Sequence, residues 1–550
     1  MTEDVRQIIT EGKASLGVEF GSTRIKACLI GPDSTVLAVG GHEWENELVD
    51  GRWSYSLDAV WSGLQAAYAE LAAEAEARHG VRPATLAAIG VSAMMHGYLA
   101  FDDEGELLVP FRTWRNTSTG PAAAELTEAL GFNVPLRWSV AHLYQAVLDD
   151  EPHVPHVDKL MTLAVYVHWR LTARFVAGVG DASGMFPIDP ATGGYDAAKL
   201  RVADELIGRR LPELSLSALL PEVLPAGADA GALTPEGAAL LDPSGTLQPG
   251  IRLCPPEGDA GTGMVATGAV APRTGNVSVG TSVFAMVVLE QALAAVHPEI
   301  DVVATPDGAP VAMVHCNNGA SELGAWASVF GQFARRLGAA ADSDTVFAAL
   351  LGAAADGDAD AGGLLAYNFL SGEPIAGLDE GRPLVVRTPG SSLTLANFMR
   401  AQLYSVFATL RLGMEVLGGE GVRVDRMLGH GGVFRTADVA QRALAAALNV
   451  PVAVRASASE GGAWGIALLA AYLDAADELS LSAYLEQRVF ARDDASAVDP
   501  EPGAVAGFDD FLARFRAGLD IERAAVAAGG DRDEGGDRTE RTDGDEGETA

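Results

Sequence analysis

The amino-acid sequence predicts an α/β protein built from two domains, and three observations lead to this prediction. The chain has 550 residues, which is too long for one ordinary hydrophobic core. Its first part shows three apolar runs separated by turns, then an amphipathic helix and a further apolar run, an order typical of α/β domains. The same layout returns in the second half without sequence identity, which indicates a repeated architecture.

The first domain is predicted to open with three strands. After Leu16 the chain reads GVEFGSTRIKACLIGPDSTVLAVGG, in which apolar runs alternate with turns. Between Val60 and His79 apolar residues recur at spacings of three and four, which indicates an amphipathic helix that Gly80 ends. AAIGVSA follows as a short buried strand.

The second half repeats this order. GNVSVGTSVFAMVVLE is an apolar run interrupted by a Gly-Thr-Ser turn, and RMLGHGG is a strand that leads into a glycine-rich turn. Thr436 is placed to cap the helix ADVAQRALAAALN. PVAV is predicted as the next strand and GGAWGIALLAAYL as the next helix. The link between the two domains is expected near residues 268–274.

The predicted organisation is an N-terminal extension (residues 1–15), a first domain (16–270), a second domain (271–528) and an acidic tail (529–550). The tail contains nine acidic residues, three arginines and no large apolar side chain. It cannot bury enough apolar surface to offset its ordering entropy, so we expect it to be disordered and to act by solvation.

The charge balance limits the class of partner. With 38 basic and 74 acidic residues the formal net charge is -36, so we expect neither nucleic acid nor an anionic membrane as a partner. Phosphate must then be held by backbone N–H groups, a few placed cations or a metal ion. The three cysteines form no disulfide framework, and signal-peptide, membrane-span, P-loop and HExxH patterns are absent from the sequence. A cytoplasmic protein is expected.

Two hydroxyl-bearing turns are candidate phosphate sites. Gly21–Thr23 lies between two apolar runs, where glycine lets the backbone approach a phosphate and the neighbours offer N–H and O–H donors. Glu19 could reach a hydrated Mg²⁺. Taken alone, the first turn is better explained as an ordinary hairpin, but its echo at Gly280–Ser282 favours a nucleotide held between repeated domains. The candidate nucleotide ligands here are Gly21, Ser22, Thr23, Lys26, Gly280, Thr281 and Ser282.

Asp259 is the candidate catalytic base. It stands in PEGDAGTGMVATGAV, flanked by Gly and Ala beside an apolar segment, where a solvated surface charge is poorly placed. A carboxylate at the start of a helix that faces a cleft can accept a hydroxyl proton during phosphoryl transfer. A helix-capping aspartate is the alternative for the isolated motif.

A mixed polar and aromatic segment, SAMMHGYLAFDDEGELLVPFRTWRNTST, suits a polyol, whose hydroxyls need hydrogen bonds and whose C–H face stacks on an indole. A core histidine and a buried tryptophan are the alternatives. The candidate sugar contacts are Met95, His96, Trp114, Arg115, Asn116 and Asp259. Farther along, Gly429, Gly431 and Gly432 permit close approach to a flat ligand such as adenine, or form a turn.

In this order and spacing the segments resemble the FGGY carbohydrate kinase family of the actin-like ATPase superfamily, from about Leu16 to Leu473, with xylulokinases as the nearest branch. SAMMHG resembles the sugar-contacting Met-His-Gly segment, FRTWRNTST the WxDxRT stretch, and GDAGTGMVATG the segment with the catalytic Asp. GVEFGSTRIKA and VSVGTS resemble the phosphate turns. LGHGGVFRT, followed by EGGAWGIA, resembles the adenosine-binding region.

The resemblance implies two ribonuclease H-like domains flanking a catalytic cleft that closes on ATP, Mg²⁺ and a sugar, with Asp259 as general base. D-Xylulose is the leading substrate. L-Ribulose, L-xylulose, a tetrulose and a glycerol-like polyol are alternatives. The oligomeric state stays open, with the homodimer as a common state in the family.

Two departures from the family pattern leave other functions open. Glu19 stands where the family usually has Asp, which bears on the metal role. Asn116 and Ser118 stand where the WxDxRT stretch has Asp and Arg, which bears on sugar selectivity. A non-catalytic nucleotide and sugar sensor is therefore the second hypothesis, and a phosphohydrolase of the same superfamily is the third.

Overall fold

The computed structural model describes residues 4–339, 342–436, 438–455, 461–491 and 496–529. These described residues form two compact units, one within residues 1–315 and 410–501 and the other within residues 316–409 and 502–550. The domain boundary near residues 268–274 stays a prediction. Of the predicted acidic tail, all but the first residue lies outside the described part of the chain.

The strands take up most of the predicted apolar runs. In chain order they are β1 (Ser15–Phe20), β2 (Arg24–Ile30), β3 (Val36–Glu43), β4 (Glu47–Val49), β5 (Arg52–Ser54), β6 (Ala88–Ala93), β7 (Leu99–Phe101), β8 (Lys159–Met161), β9 (Val176–Gly178), β10 (Glu222–Leu224), β11 (Arg252–Leu253), β12 (Glu257–Gly258), β13 (Thr274–Val279), β14 (Val283–Val288), β15 (Ile300–Ala304), β16 (Pro310–Cys316), β17 (Leu365–Tyr367), β18 (Leu384–Val386), β19 (Arg426–His430), β20 (Val452–Val454) and β21 (Ser496–Val498).

Two sheets repeat one topology, which confirms the α/β prediction. In the first sheet the order is β11-β6-β1-β2-β3, with β12 also paired to β6. In the second the order is β15-β16-β14-β13-β19-β20-β21. In each sheet one central strand, β1 or β13, is antiparallel to the strand that follows it and parallel to a strand from later in the chain.

Helices connect and cover the strands. In chain order they are α1 (Val5–Thr10), α2 (Leu57–His79), α3 (Gly120–Leu130), α4 (Ser139–Leu148), α5 (Leu163–Thr172), α6 (Val179–Ala182), α7 (Ala197–Gly208), α8 (Leu216–Leu219), α9 (Pro235–Leu241), α10 (Asp259–Thr267), α11 (Ser321–Arg336), α12 (Ser343–Ala355), α13 (Leu395–Gly419), α14 (Val439–Leu448), α15 (Gly461–Tyr472), α16 (Leu481–Tyr484), α17 (Pro502–Ala517) and α18 (Leu519–Gly529).

Helix α2 follows its predicted face and extends three residues farther toward its N-terminus. The Ser56 side chain accepts a hydrogen bond from the Ala59 N–H and starts the helix, while Gly80, at φ 71°, ends it. The predicted cap at Thr436 is wrong. The chain first makes a 3₁₀ turn over Gly432–Arg435, so α14 begins only at Val439.

Helix α15 packs directly on the first sheet and so brings its N-terminus to the sheet's functional edge. A Cβ atom at Gly17 of β1 would lie 2.1 Å from the Ala463 carbonyl oxygen, so only glycine allows this approach. The helix is apolar all round and buried along most of its length, as expected for a helix enclosed by other elements.

The second unit has an aromatic core of its own. Tyr367 of β17 packs on Phe515 of α17, and the Tyr367 hydroxyl donates to the Phe515 carbonyl oxygen at 2.6 Å. Glu373 is a buried polar residue of this unit and accepts hydrogen bonds from the Asn318 backbone and side chain.

The cysteines Cys28, Cys254 and Cys316 are buried and free, as predicted. Over the described ranges, every helix is too short or too polar to cross a membrane.

Candidate active site

The strand register brings three predicted segments to one edge of the first sheet. Phe20 of β1 pairs with Ala93 of β6, and Gly258 of β12 pairs with the same Ala93. Because these strands are parallel, the residues that follow them leave the sheet at the same level. The first phosphate turn, the Met-His segment and Asp259 therefore start side by side.

Asp259 is the first residue of α10 and is partly buried. Its Oδ1 atom accepts hydrogen bonds from the backbone N–H of Met95 at 3.2 Å and of Ala260 at 2.9 Å. Burial raises the pKa of Asp259, and these N–H groups and the Arg137 charge oppose the rise. Among the described residues no hydrogen-bond donor reaches Oδ2, so this atom is available to a ligand.

Glu19 and Lys26 are cross-strand partners on β1 and β2. The Lys26 Nζ atom lies 4.0 Å from the Glu19 Oε2 atom, and the Glu19 carboxylate accepts hydrogen bonds from the backbone of Gly462 and Ala463 at the N-terminus of α15. Burial raises the pKa of Glu19, and the charge of Asp259 raises it further. Two carboxylates and one ammonium group thus interact at this edge.

The turn Gly21–Thr23 has its carbonyl groups anchored in the protein. The Trp44 indole N–H donates to the Gly21 oxygen at 2.7 Å, and the Tyr55 hydroxyl donates to the Ser22 oxygen at 2.6 Å. The backbone N–H groups of Ser22 and Thr23 have no protein partner among the described hydrogen bonds. They are the free donors that a phosphate group requires.

His96 is buried with its ring oriented by Gly184. The Nδ1 atom lies 3.2 Å from the Gly184 carbonyl oxygen, which can only accept, so Nδ1 carries the proton. Burial lowers the pKa of His96 to about 3, so the ring is neutral at physiological pH. The Nε2 atom then carries a lone pair that can accept a hydrogen bond. Met95, next to it, is buried and supplies its N–H to Asp259.

The residues of the WRN segment (114–116) have different surroundings: some lie at the candidate site and some contact the scaffold. Trp114 is 39% exposed, and its indole N–H donates to the Ser22 hydroxyl at 3.3 Å, which links it to the first phosphate turn. The Arg115 guanidinium stacks on the Trp53 ring at 4.5 Å.

Asn116 is bound to the scaffold. Its amide accepts from the Trp53 N–H at 2.9 Å and donates to the Trp53 and Thr113 carbonyl oxygens. Both amide hydrogens are used by the backbone, and a sugar contact of Asn116 stays a prediction. An aspartate could not donate these bonds, so the amide suits the scaffold here.

In the second sheet, two predicted nucleotide segments meet. Ser278 of β13 pairs with His430 of β19, which places the turn Gly280–Ser282 beside Gly429–Gly432. Thr281 is exposed, and the turn closes on itself through the Gly280 N–H and the Ser282 oxygen at 2.9 Å.

The glycines of the GHGG turn differ in what an added Cβ atom would meet. A Cβ atom at Gly431 would lie 2.1 Å from the Val279 oxygen, and one at Gly429 would lie 2.9 Å from the Phe434 ring. Protein atoms rather than a flat ligand therefore explain these two glycines. A Cβ atom at Gly432 would meet no described atom within 4 Å, so Gly432 keeps open space for a ligand.

Sequence reasoning missed several residues around Asp259. Arg137 pairs with Asp301 of β15 and acts electrostatically on both His96 and Asp259. Glu257 and Asp181 are fully enclosed carboxyl groups, and burial raises the pKa of Glu257 to about 8 and of Asp181 to about 7. The position of Glu257, two residues before Asp259, was a usable signal. Arg137 had none, because its partners are distant in sequence.

Glu19 and the first turn are the residues that would hold a nucleotide with Mg²⁺. Within the described ranges, no group of three or more His, Cys, Asp or Glu side chains is placed to hold a metal ion. Mg²⁺ in phosphoryl-transfer enzymes is commonly held by one or two carboxylates together with substrate phosphates and water. The Glu19 carboxylate beside a turn with free N–H groups fits that arrangement.

Family comparison covers most of the chain. Residues 14–244 match the model described as "FGGY family of carbohydrate kinases, N-terminal domain", and residues 275–473 match the corresponding C-terminal domain.

Individual relatives have low sequence identity. The xylulose kinase of Haemophilus influenzae is 22% identical over 432 residues, covering 76% of this chain and 82% of that protein. The solved xylulose kinase from Rhodospirillum rubrum aligns with a TM-score of 0.75 at 22% identity, over 94% of this chain and 99% of that one. The Plasmodium falciparum glycerol kinase with ADP aligns with a TM-score of 0.71 at 13% identity, over 91% and 98%. At these identities the structural likenesses show the fold alone.

Proposed function

Because the chain belongs to the FGGY family of carbohydrate kinases, we propose that it transfers the γ-phosphoryl group of ATP to a hydroxyl of a ketopentose or related polyol, with D-xylulose as the leading substrate. The observation that carries this proposal is the placement of Asp259. Its carboxylate lies beside the Met95 N–H, at the sheet edge that also holds the first phosphate turn.

The proposed step is a direct displacement. The sugar hydroxyl oxygen forms a bond to the γ-phosphorus, the bond from that phosphorus to the β,γ-bridging oxygen breaks, and ADP leaves. Asp259 accepts the hydroxyl proton, and its Oδ2 atom is the acceptor, since Oδ1 is held by two backbone N–H groups. A base must be ionised before the reaction, so the raised pKa of Asp259 sets the lower end of the active pH range.

The proposed sugar contacts surround this carboxylate. The neutral His96 ring accepts a hydrogen bond from a second hydroxyl at Nε2, since Nδ1 is committed to Gly184. The exposed face of Trp114 stacks on the C–H face of the sugar. Arg115 lies next in the chain, with its guanidinium on Trp53.

The proposed phosphate contacts come from both sheets. The free N–H groups of Ser22 and Thr23 and the Lys26 ammonium bind the transferred group, while Gly280–Ser282 and Gly432 serve the rest of the nucleotide. Glu19 would hold Mg²⁺, which when bound offsets the phosphate charge. Its extra methylene relative to aspartate lets the carboxylate reach the N-terminus of α15.

The choice of D-xylulose rests on the xylulose kinases among the relatives. The Asn116 departure does not weigh against it, because that amide is bound to the scaffold. Glycerol kinase shares the fold, so other ketoses and polyols belong in the test.

The test measures ADP formation with ATP and Mg²⁺ against D-xylulose, L-xylulose, L-ribulose, erythrulose and glycerol. We expect sugar-dependent ADP and a sugar phosphate with at least one ketose, and the highest kcat/KM with D-xylulose. Folded protein that stays silent across the panel would overturn the proposal. Calorimetric binding of ATP and sugar without product would support a sensor, and ADP release independent of sugar would support a hydrolase.

A further inference from the structure

Glu257 is a buried carboxyl group on β12, two residues before the proposed base Asp259. Its side chain is 1% exposed, and its two oxygens accept the N–H of Gly180 at 3.3 Å and of Asp181 at 2.9 Å. A Cβ atom at Gly180 would lie 2.4 Å from Oε2, so the backbone packs against this carboxylate at a distance that only glycine allows. The Gly178 N–H also donates to the Pro256 oxygen at 2.8 Å. The segment from Gly178 to Gly184 is therefore fastened to the strand that carries Asp259.

The far end of this segment holds His96. The Gly184 oxygen accepts from Nδ1 of His96, and a Cβ atom at Gly184 would lie 2.6 Å from that nitrogen. Between the two ends, the Ser183 hydroxyl donates to the Gly180 oxygen at 2.5 Å and accepts from the Ala304 N–H of β15 at 2.9 Å. A displacement at Gly180 is thus transmitted to the histidine through a few closely packed residues.

We infer that Glu257 is a positioning residue that holds the Gly178–Gly184 segment in place and thereby fixes the orientation and tautomer of His96 toward the sugar. This inference rests on the proposed function for its kinetic consequences. In Glu257→Gln the amide oxygen can accept only one of the N–H groups of Gly180 and Asp181, and the other faces the amide NH₂ group, which is unfavourable, so the segment shifts to find another partner. The Gly184 oxygen then moves away from Nδ1, and Nε2 is no longer held as the hydrogen-bond acceptor.

If Glu257 only stabilised the fold, its loss should affect the kinetics no more than the loss of another buried carboxylate. Glu373, in the second unit, is also buried, and its carboxylate accepts from the Asn318 backbone and side chain. It is joined by no described hydrogen bond to the candidate sugar contacts. Glu373→Gln therefore reproduces the loss of a buried carboxylate without disturbing the Gly178–Gly184 segment.

The experiment compares Glu257→Gln with Glu373→Gln by steady-state kinetics, using the sugar from the panel that the wild type turns over fastest. For Glu257→Gln we expect the KM for the sugar to rise about 10-fold, as for a misplaced substrate contact, while the KM for ATP changes less than about two-fold. Glu373→Gln should leave both constants near the wild-type values. Equal KM values for the sugar in wild type and Glu257→Gln would overturn the inference.

The second readout does not depend on turnover. In ¹⁵N-histidine-labelled protein, with the His96 signals assigned through His96→Gln, we expect a protonated Nδ1 and an unprotonated Nε2 in the wild type. Glu257→Gln should give a mixture of tautomers, and Glu373→Gln should not. An unchanged His96 signal in Glu257→Gln would refute the positioning role, whether or not the wild type phosphorylates a sugar. A wild type that phosphorylates none of the sugars would refute only the proposed function.

If Glu257→Gln does not fold, Ser183→Ala tests the same segment. It removes the hydroxyl that ties Gly180 to Ala304 and leaves Glu257 in place. The same rise in the sugar KM and the same change at His96 are expected. A folded Ser183→Ala protein with a wild-type His96 signal would count against transmission through the segment.

Discussion

The turns after β1 and β13 occupy the same place in two sheets of one topology, yet their chemistry differs. Glu19 and Lys26 are paired across the first hairpin, whereas Ser278 and Phe284 are paired across the second. The first turn therefore combines free N–H groups with two opposite charges, and the second offers backbone and hydroxyl groups alone. Repetition of the fold supplies two hairpin turns, and the side chains place opposite charges beside only the first of them.

The two turns also differ in how they are held. Trp44 and Tyr55 anchor the carbonyls of the first turn from outside it. The second turn is closed by its own hydrogen bond and is supported from behind by Gly431, which lies against Val279. A rigid turn beside the reacting groups and a more exposed turn for the rest of the nucleotide would divide the work between the sheets.

The largest effect should come from removing the base at the edge of the first sheet. In Asp259→Asn we expect kcat to fall at least about 100-fold, the scale of a lost general base, while sugar binding measured by calorimetry is largely kept. The amide can still accept the Met95 N–H, so the fold is preserved. An unchanged kcat would show that Asp259 is not the base. The difference in charge between the two turns would then have no demonstrated role in catalysis.

The charge difference between the hairpins predicts unequal effects at equivalent positions. Glu19→Gln should lower kcat about 10-fold and raise the Mg²⁺ concentration needed for half-maximal rate, the scale seen when a metal's surroundings are altered. Ser278→Ala, the matched change on β13, should alter kcat less than about two-fold. Equal losses in the two variants would show that the sheets share the charged role.

The support behind the second turn can be removed without touching the first. Gly431 has φ 115°, and an added Cβ would lie 2.1 Å from the Val279 oxygen, so Gly431→Ala should lower the free energy of unfolding by about 2 kcal/mol. In Gly432→Ala the added methyl meets open space, so its unfolding free energy should stay within about 0.5 kcal/mol of wild type. Urea titration of both proteins makes the comparison. A stable Gly431→Ala protein would contradict the proposed support.

The last expected effect is a pH dependence from the carboxyl groups of the first half. Burial raises the pKa of Glu257 to about 8 and of Asp181 to about 7, with the carboxyl of Asp259 and the thiol of Cys254 nearby, while both carboxyls titrate near pH 4 when unfolded. Between about pH 4 and 8 the folded state binds more protons, so these groups make stability fall as pH rises.

Glu257→Gln removes one of the two titrations. The unfolding free energy of the wild type, relative to that of the variant, should therefore decline between pH 5 and pH 8. Urea titrations of both proteins at pH 5 and pH 8 measure this difference. A constant difference across that range would show that Glu257 is ionised throughout.

Much of the fold was predictable because it depends on local patterns. Strands β1, β2 and β3, helix α2 and the repeated hairpin of β13 and β14 follow from apolar periodicity and turn residues. The cap at Thr436 was not predictable, since a 3₁₀ turn intervenes before α14 and its geometry depends on the close approach of Gly431 to Val279.

The positions of the candidate site residues were predictable where they belong to short sequence motifs. Asp259, His96 and the Gly21–Thr23 turn meet at one sheet edge, as their motifs suggested, although their catalytic and binding roles stay predictions. The scaffold bonds of Asn116 were not predictable, because its partner, the Trp53 backbone, is 63 residues away. The position of Glu257 beside Asp259 was a usable signal, but its enclosure was not predictable, because the Gly180 backbone that binds it is 77 residues away.

The sequence by itself determined the α/β class, the repeated layout, the family resemblance and the candidate base. These follow from residue types and their spacing along the chain. Only the tertiary structure decided which polar groups are already used. Hydrogen-bond capacity is consumed by partners brought together from distant segments, as at Asn116, Glu257 and His96, and that allocation separates a scaffold residue from one free to meet a substrate.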